Sequence, residues 1–248
     1  MSTAPSPSAG PLVSVIVCSR DAPGRVAHRD HVAGTIGCPH EYVRIDNHDG
    51  RFGICAAYNL GVTRALAPIL AFVHEDVRFR RNDWGLALIE RFATRPDVGL
   101  VGVAGYERLE LGMLPWPRKH HQYLRGAMVC ASPGDGGEVM SVFGDSEGDA
   151  EVAVVDGLFF AIRAELFPTI AFDEGLFRGF HLYDFDISMQ VAQSHRLLVT
   201  ADILVRHHSR SSYGPGWRAD AAFFVRKWQA HLPASAEQVP RGPRVSPR

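Results

Sequence analysis

The chain has 248 residues, of which 46% are hydrophobic and 21% charged, a composition typical of one large globular domain. A formal net charge of −1 argues against a protein that binds nucleic acid through many phosphate contacts. No run of 18 apolar residues occurs, and the N-terminal segment lacks a basic region followed by an apolar one. We therefore expect a cytoplasmic protein with no transmembrane segment and no nucleic-acid partner.

The first half of the chain alternates short apolar runs with helical patterns. Because strands buried on both faces have continuous β-branched runs, four strands are predicted. They are Val13–Cys18, Tyr42–Asp46, Ile69–His74 and Val98–Ala104. Helices are predicted at Ile54–Ala65 and Trp84–Thr94. This order predicts an α/β domain with a parallel sheet and crossover helices.

The second half has weaker periodicity. Residues 105–150 are rich in Gly, Pro and aromatic residues, which predicts a loop-rich excursion with a hairpin around Ala127–Ala131. The later predicted elements are strands at Val152–Val155, Leu158–Ile162 and Leu197–Val205, a helix from about 184 to 194, and an amphipathic helix at Arg218–His231. That last helix is expected to pack on the core, and the alternative is contact with a membrane surface or a partner.

Both ends of the chain are rich in Pro, Ser or Arg. Such segments bury little apolar surface, so residues 1–11 and 233–248 are predicted to be disordered tails. No internal repeat is present, and a single domain is predicted over residues 12–232.

Polar residues follow the first three predicted strands. Ser19-Arg20, Asp46 and His74-Glu75-Asp76 stand where ligands of open α/β sheets gather. They suit a base and a ribose through hydrogen bonds, and phosphates through a bridging metal. An acidic pair directly after a buried strand would be stabilised by a hard divalent cation, and the alternative is that Asp76 caps the next turn.

Two later segments also carry reactive groups. Asp184 and Asp186 lie at a predicted helix start among aromatic residues, where partial burial would raise a carboxyl pKa and suit a general base. Helix capping is the alternative for one of them. His207-His208 follow the last predicted strand and are either structural or ligands for a cation. The phosphate-loop and dinucleotide-binding motifs are absent.

Six segments, in this order, resemble the family 2-type glycosyltransferases of the GT-A fold. They are VSVIVCSRD, IDNHDGRFGICAAYNLGVTRA, AFVHEDV, VVDGLFFAIRAELF, FDEGLFRGFHLYDFDISMQV and ILVRHHS, and they cover roughly residues 12–210. The resemblance implies a GT-A-like, Rossmann-type nucleotide-binding domain with a mostly parallel central sheet flanked by helices. HEDV takes the place of the DXD motif, with His74 at its first acidic position.

The resemblance also implies roles for individual residues. Asp184 is the expected catalytic base, and Asp76 with His207 or His208 is expected to hold Mn²⁺ or Mg²⁺. Contacts to the donor nucleotide are expected from Ser19, Arg20, Asp46, Asn59, Glu75 and Asp76. Contacts to the sugar or the acceptor are expected from Asp156, Gly157 and Asp186.

The implied activity is inverting transfer of a sugar from a nucleoside-diphosphate sugar, with a UDP-sugar expected, to a hydroxyl. The acceptor is a glycan, a lipid-linked molecule or a small molecule, and the enzyme acts in the cytoplasm or peripherally at the inner membrane face. One alternative is a GT-A-like module that binds nucleotide or glycan without turnover, which His74 keeps open. Another is a sugar-nucleotide pyrophosphorylase, although CSRDAPGR stands where those enzymes have a Gly-rich loop.

Overall fold

The computed structural model describes residues 10–20, 24–110, 122–131, 138–144, 148–208 and 214–238. The helices are α1 (Gly24–Thr35), α2 (Ile54–Arg64), α3 (Trp84–Thr94), α4 (Tyr183–Val191) and α5 (Pro215–Trp228). The strands of the first half are β1 (Val13–Ser19), β2 (His40–Asp46), β3 (Ile69–Val73), β4 (Val77–Phe79), β5 (Val98–Gly102), β6 (Ala104–Tyr106) and β7 (Arg108–Leu109). Those of the second half are β8 (Leu124–Ala131), β9 (Glu138–Phe143), β10 (Asp149–Val152), β11 (Val154–Val155), β12 (Phe159–Arg163), β13 (Arg196–Thr200), β14 (Val205–His207) and β15 (Ala234–Ser235).

A seven-stranded sheet forms the centre, in the order β10-β13-β5-β12-β3-β1-β2. The predicted α/β class is confirmed, but the sheet is mixed rather than mostly parallel. β1, β2 and β3 are parallel, whereas β12 runs antiparallel to both β3 and β5. The reason is geometric: β12 begins opposite the carboxyl ends of these two strands, with Phe159 beside Val73, so it must run back between them.

A second sheet has the order β11-β6-β8-β14-β4, with β9 paired to β8. Two predicted strands are interrupted where the chain moves from the first sheet to this one. Val98–Ala104 divides into β5 and the start of β6, and Leu197–Val205 divides into β13 and the start of β14. The hairpin expected around Ala127–Ala131 is confirmed as β8 and β9. The rest of 105–150 contains more strand than predicted, although residues 111–121, 132–137 and 145–147 lie outside the described part.

The folded chain extends beyond the boundary predicted at residue 232. β15 pairs antiparallel with β7, and Ala236 is buried, because the backbone after Leu232 completes a short two-stranded sheet. The predicted N-terminal tail, apart from Gly10 and Pro11, and the tail beyond residue 238 lie outside the described residues.

Apolar residues cover both faces of the central sheet. On one face α2 packs so closely on β1 that a Cβ added at Gly61 would lie 2.3 Å from Ile16 Cγ2. α5 buries Trp217, Phe224 and Trp228 against this same core, so its amphipathic pattern reflects core packing. No helix in the described ranges is long and apolar enough to cross a membrane.

The sequence pattern did not predict the helix α1. Its sequence, GRVAHRDHVAGT, shows little apolar periodicity, and of its described side chains only Val32 and His28 are buried. Tertiary contacts with β4 stabilise it, including a hydrogen bond of 2.8 Å from the Phe79 N–H to His31 Nε2.

Candidate active site

Three side chains from the junction of the two sheets form a cluster. His74 directly follows β3, Asp76 precedes β4, and His207 ends β14. β14 and β4 pair antiparallel with His207 opposite Val77, which brings His207 beside the neighbouring Asp76. The His207 Nε2 lies 3.5 Å from the Asp76 Oδ1, and the two histidine rings are 5.7 Å apart between centroids.

The cluster has the composition and spacing of a divalent-metal site. Each of the three residues offers one ligand atom, and these atoms lie within 4.8 Å of one another. The His207 Nε2 is buried, and within the described residues it makes no well-aligned hydrogen bond beyond its 3.5 Å contact with Asp76. Two imidazoles and one carboxylate are ligands that transition-type divalent cations accept, so the residues present fit such an ion.

The electrostatics of the two histidines differ. Burial lowers the pKa of His74, and the neighbouring His207 lowers it further, so His74 is held neutral. Burial also disfavours the charged form of His207, but attraction to Asp76 outweighs it and raises the His207 pKa. The Asp76 carboxylate therefore stabilises positive charge in this cluster.

Asp184 lies in the first turn of α4, next to the turn before β12. Its Oδ2 accepts a hydrogen bond of 2.8 Å from the Gly157 N–H, and its Oδ1 accepts one of 3.0 Å from the Phe185 N–H. Burial raises the pKa of Asp184 to about 7, and the charge of Asp156 adds to the effect. This carboxyl group therefore exchanges its proton near neutral pH.

Tyr183 links this carboxylate to the histidine cluster and was not predicted as a site residue. Its hydroxyl donates to the Gly157 carbonyl oxygen at 3.0 Å and lies 2.6 Å from the His74 Nε2. Gly157 is required here, because a Cβ would lie 2.2 Å from the Tyr183 Oη. The sequence offered only one signal for Tyr183, its position directly before Asp184.

The predicted donor residues at the ends of β1 and β2 lie side by side. Ser19 is buried and pairs in register with Asp46. Hydrogen bonds from His48 lower the pKa of Asp46 to about 2, so Asp46 stays ionised.

Arg20 and Glu75 connect the ends of β1 and β3. The backbone N–H of Arg20 donates to both carboxylate oxygens of Glu75, at 3.1 and 3.0 Å. The Arg20 guanidinium stands 4.7 Å from the centroid of the Phe180 ring. Glu75 therefore fixes the position of Arg20 at this edge of the sheet.

Three predicted site residues are engaged elsewhere. The amide of Asn59 bonds both the N–H and the carbonyl of Phe172, at 3.1 and 2.8 Å. His208 is exposed and contacts the Arg206 guanidinium, since adjacent residues of a strand face opposite sides.

Asp186 is only 1% exposed, and its carboxylate accepts hydrogen bonds from Trp228, Lys227 and Gln190. The expectations that Asn59 contacts the donor and that Asp186 contacts the sugar or acceptor therefore find no support in these contacts, which hold the surrounding structure together.

A mixed sheet whose strand ends carry this polar site defines a domain of the GT-A fold. The family model of a glycosyltransferase-like family matches residues 14–211, and the chain belongs to this family. The family suggested by the six segments is thereby confirmed. No curated protein matches the sequence.

Two solved structures share this fold. The crystal structure of GalNAc-T7 with UDP, GalNAc and Mn²⁺ has a TM-score of 0.58 at 12% identity and is covered over 48% of its length by 88% of this chain. The mannosyltransferase PcManGT from Pyrobaculum calidifontis, in complex with GDP-Man and Mn²⁺, has a TM-score of 0.55 at 15% identity, with 92% of this chain and 66% of that chain covered. This chain thus spans about half of the first protein and just under two thirds of the second.

Proposed function

We propose that this protein is an inverting glycosyltransferase that moves a sugar from a nucleoside-diphosphate donor to an acceptor hydroxyl. One observation carries the proposal. Asp184, a carboxylate with a raised pKa, lies in the same site as the cluster of His74, Asp76 and His207 that fits a divalent cation. Asp184 and His74 are joined through only two residues, because Tyr183 contacts His74 and Gly157, and Gly157 contacts Asp184.

Asp184 is the general base in this proposal. It takes the proton of the acceptor hydroxyl while the hydroxyl oxygen attacks the anomeric carbon from the face opposite the nucleoside diphosphate. One displacement of this kind inverts the anomeric configuration. A base whose pKa lies near the working pH combines the ionised form with good proton affinity, which suits the value of about 7 for Asp184.

The cation in this proposal is Mn²⁺ or Mg²⁺, held by Asp76, His207 and His74. When bound, it supplies positive charge that stabilises the departing diphosphate. The Mn²⁺ named with both solved relatives supports the choice of cation. His74, at the first acidic position of the DXD-like motif, is thus proposed as a ligand.

The donor nucleotide is proposed to lie along the ends of β1 and β2. Asp46 remains ionised and can accept hydrogen bonds from ribose hydroxyls, with Ser19 and Arg20 adjacent. Asp156 and Gly157, in the turn beside Asp184, are proposed to contact the sugar or the acceptor. A UDP-sugar is our proposed donor, and one relative is a complex with UDP whereas the other holds GDP-Man.

The acceptor is proposed to be a glycan, a lipid-linked molecule or a small molecule. Membrane contact through the apolar face of α5 is not part of the proposal, because Trp217, Phe224 and Trp228 of that helix are buried. Turnover at a membrane surface would then depend on the acceptor rather than on this helix.

The test is release of free nucleoside diphosphate from UDP-, GDP-, CDP- and dTDP-sugars, with and without Mn²⁺. We expect release from one donor class, stimulated by Mn²⁺ and increased by an acceptor alcohol. Donor binding in a thermal-shift assay with no release under any condition would identify a binding module instead. Formation of nucleoside triphosphate from sugar nucleotide and pyrophosphate would identify a pyrophosphorylase.

A further inference from the structure

The hydroxyl of Tyr183 is a buried polar group that contacts the Gly157 carbonyl and the His74 ring and lies close to the Tyr58 hydroxyl. Its ring is 3% exposed and packs against Tyr58 at a centroid distance of 5.7 Å and an interplanar angle of 72°. The rings of Phe160 and Phe172 also pack against the Tyr183 ring, at centroid distances of 6.5 and 6.4 Å. Rigid aromatic packing of this kind leaves the hydroxyl little freedom to change partners.

The two contacts of this hydroxyl fix where the protons lie. A phenol has one proton to donate, and the Gly157 carbonyl can only accept, so that proton points to Gly157 at 3.0 Å. Both contacts are hydrogen bonds at the same time only when the His74 Nε2–H donates the one of 2.6 Å to the phenol oxygen. In its neutral form His74 is then the Nε2–H tautomer, which leaves Nδ1 as the ring nitrogen able to bind a cation.

The same hydroxyl acts on the base through Gly157. The carbonyl of Gly157 accepts from Tyr183, and its N–H donates to the Asp184 Oδ2 at 2.8 Å. Tyr183 and Asp184 are consecutive, and Leu182 before them has a left-handed φ of 58°. Two adjacent side chains thus hold Gly157, one by its carbonyl and the other by its N–H.

We propose that Tyr183 is a positioning residue that sets the tautomer and orientation of His74 and holds Gly157 in place for Asp184. This inference rests on the proposed function, in which His74 binds a cation and Asp184 is the base. It adds a residue to the site that contacts neither the reacting sugar nor the cation.

The variant that tests this is Tyr183→Phe, which removes the hydroxyl and keeps the ring packing. We expect Mn²⁺ alone to bind about 10–100-fold more weakly by calorimetry, as is usual when a partner of a metal-binding histidine is lost. Nitrogen NMR of the metal-free variant should show His74 as a mixture of tautomers, whereas the parent protein shows one. With donor and acceptor present, kcat should fall more than KM rises.

A matched control is Tyr42→Phe, which also deletes a tyrosine–histidine hydrogen bond, the 2.7 Å contact with the His28 Nδ1. We expect the control to keep parental Mn²⁺ affinity. Parental Mn²⁺ affinity and a single His74 tautomer in Tyr183→Phe would overturn the inference. If that variant fails to fold, the tautomer of His74 in the parent protein is the test. An Nδ1–H tautomer there would overturn the inference.

These outcomes are separable from failure of the proposed function. A parent protein that binds no Mn²⁺ and releases no nucleoside diphosphate contradicts the proposed function, whereas the His74 tautomer can still be measured. A parent protein that binds Mn²⁺ and a Tyr183→Phe variant that binds it equally well contradict the positioning role alone.

Discussion

Two aspartates two positions apart in α4 show how environment decides the role of a residue. Asp184 accepts two backbone N–H bonds beside Asp156, and its pKa is raised to about 7. Asp186 is surrounded by three side-chain donors from Trp228, Lys227 and Gln190. A step of two residues turns a helix by about 200°, so the two carboxylates leave it on opposite sides.

We predict that Asp184→Asn lowers kcat by about 10²–10⁴-fold, because an amide cannot take the proton from the hydroxyl that attacks the sugar. Affinity for the donor should stay within about twofold, because in the proposed function Asp184 contacts the acceptor hydroxyl and not the nucleotide. Steady-state transfer and calorimetric donor titration measure the two effects separately. Parental transfer rates in this variant would remove Asp184 from the role of base.

The raised pKa of Asp184 predicts the pH dependence of transfer. Asp156 is the charged group that faces it, and Tyr58, Tyr183 and Cys55 around it are neutral at the pH values concerned. Only the ionised carboxylate works as a base, so kcat/KM should rise with pH and level off above about 7. A flat profile between pH 5 and about 8 would contradict this assignment.

The same pKa predicts an opposite trend in stability. A carboxyl group whose pKa is raised on folding stabilises the native state fully below its unfolded value of 3.8, and this stabilisation is lost as pH rises through about 7. We therefore expect the parent protein to lose free energy of unfolding relative to Asp184→Asn across that range. Urea unfolding of both proteins at several pH values measures the difference, and parallel curves would argue against a raised pKa.

At the scale of elements, α4 serves two neighbours at once. Its first turn carries Tyr183 and Asp184 into the site. Asp186 contacts α5, and Gln190 contacts the segment that precedes α4. Lys227 of α5 also bonds Asp173 at 2.8 Å, and Gln190 bonds Ala171. Docking of α5 thus fixes the orientation of the helix that carries Asp184, the proposed base.

We predict that Asp186→Asn destabilises the fold by about 3 kcal/mol, because it weakens buried charge-assisted hydrogen bonds to Lys227 and Trp228. At temperatures where the variant is folded, transfer should remain within a few-fold of the parent rate. Denaturant unfolding and transfer assays on the same preparation decide the matter. Loss of transfer equal to that of Asp184→Asn would indicate that Asp186 takes part in the transfer reaction.

At the scale of the whole molecule, the candidate metal site joins parts that are far apart in the sequence. His74 and Asp76 come from the end of β3 and the turn before β4, and His207 comes from β14 in the second sheet. A cation bound there would crosslink the two sheets. Binding to the native state alone raises stability by mass action.

We predict that Mn²⁺ at about a hundred times its Kd adds roughly 2.7 kcal/mol of stability and raises Tm by roughly 5–10 °C. His207→Ala should abolish this shift, whereas His208→Ala is the matched control and should retain it. Differential scanning calorimetry with Mn²⁺ and with a chelator measures both variants. Equal shifts in the two would show that the ion binds elsewhere.

Much of the fold followed from local sequence. Buried strands are recognisable as continuous β-branched runs, and the polar residues at the ends of β1, β2 and β3 follow directly from where those runs stop. The family followed from six short segments in order, confirmed by the family model. The direction of β12 did not follow, because pairing between strands depends on contacts that are distant in the sequence.

For the site, the sequence alone determined which residue types stand at the strand ends and at the start of α4. Only the tertiary structure separated Asp184 from Asp186 and His207 from His208. A helix and a strand both turn neighbouring side chains to different sides, and which side meets the site depends on the packing of α5 and on the register of β14 with β4. The contact of Tyr183 with His74 joins residues 109 positions apart and could only be found once the chain was folded.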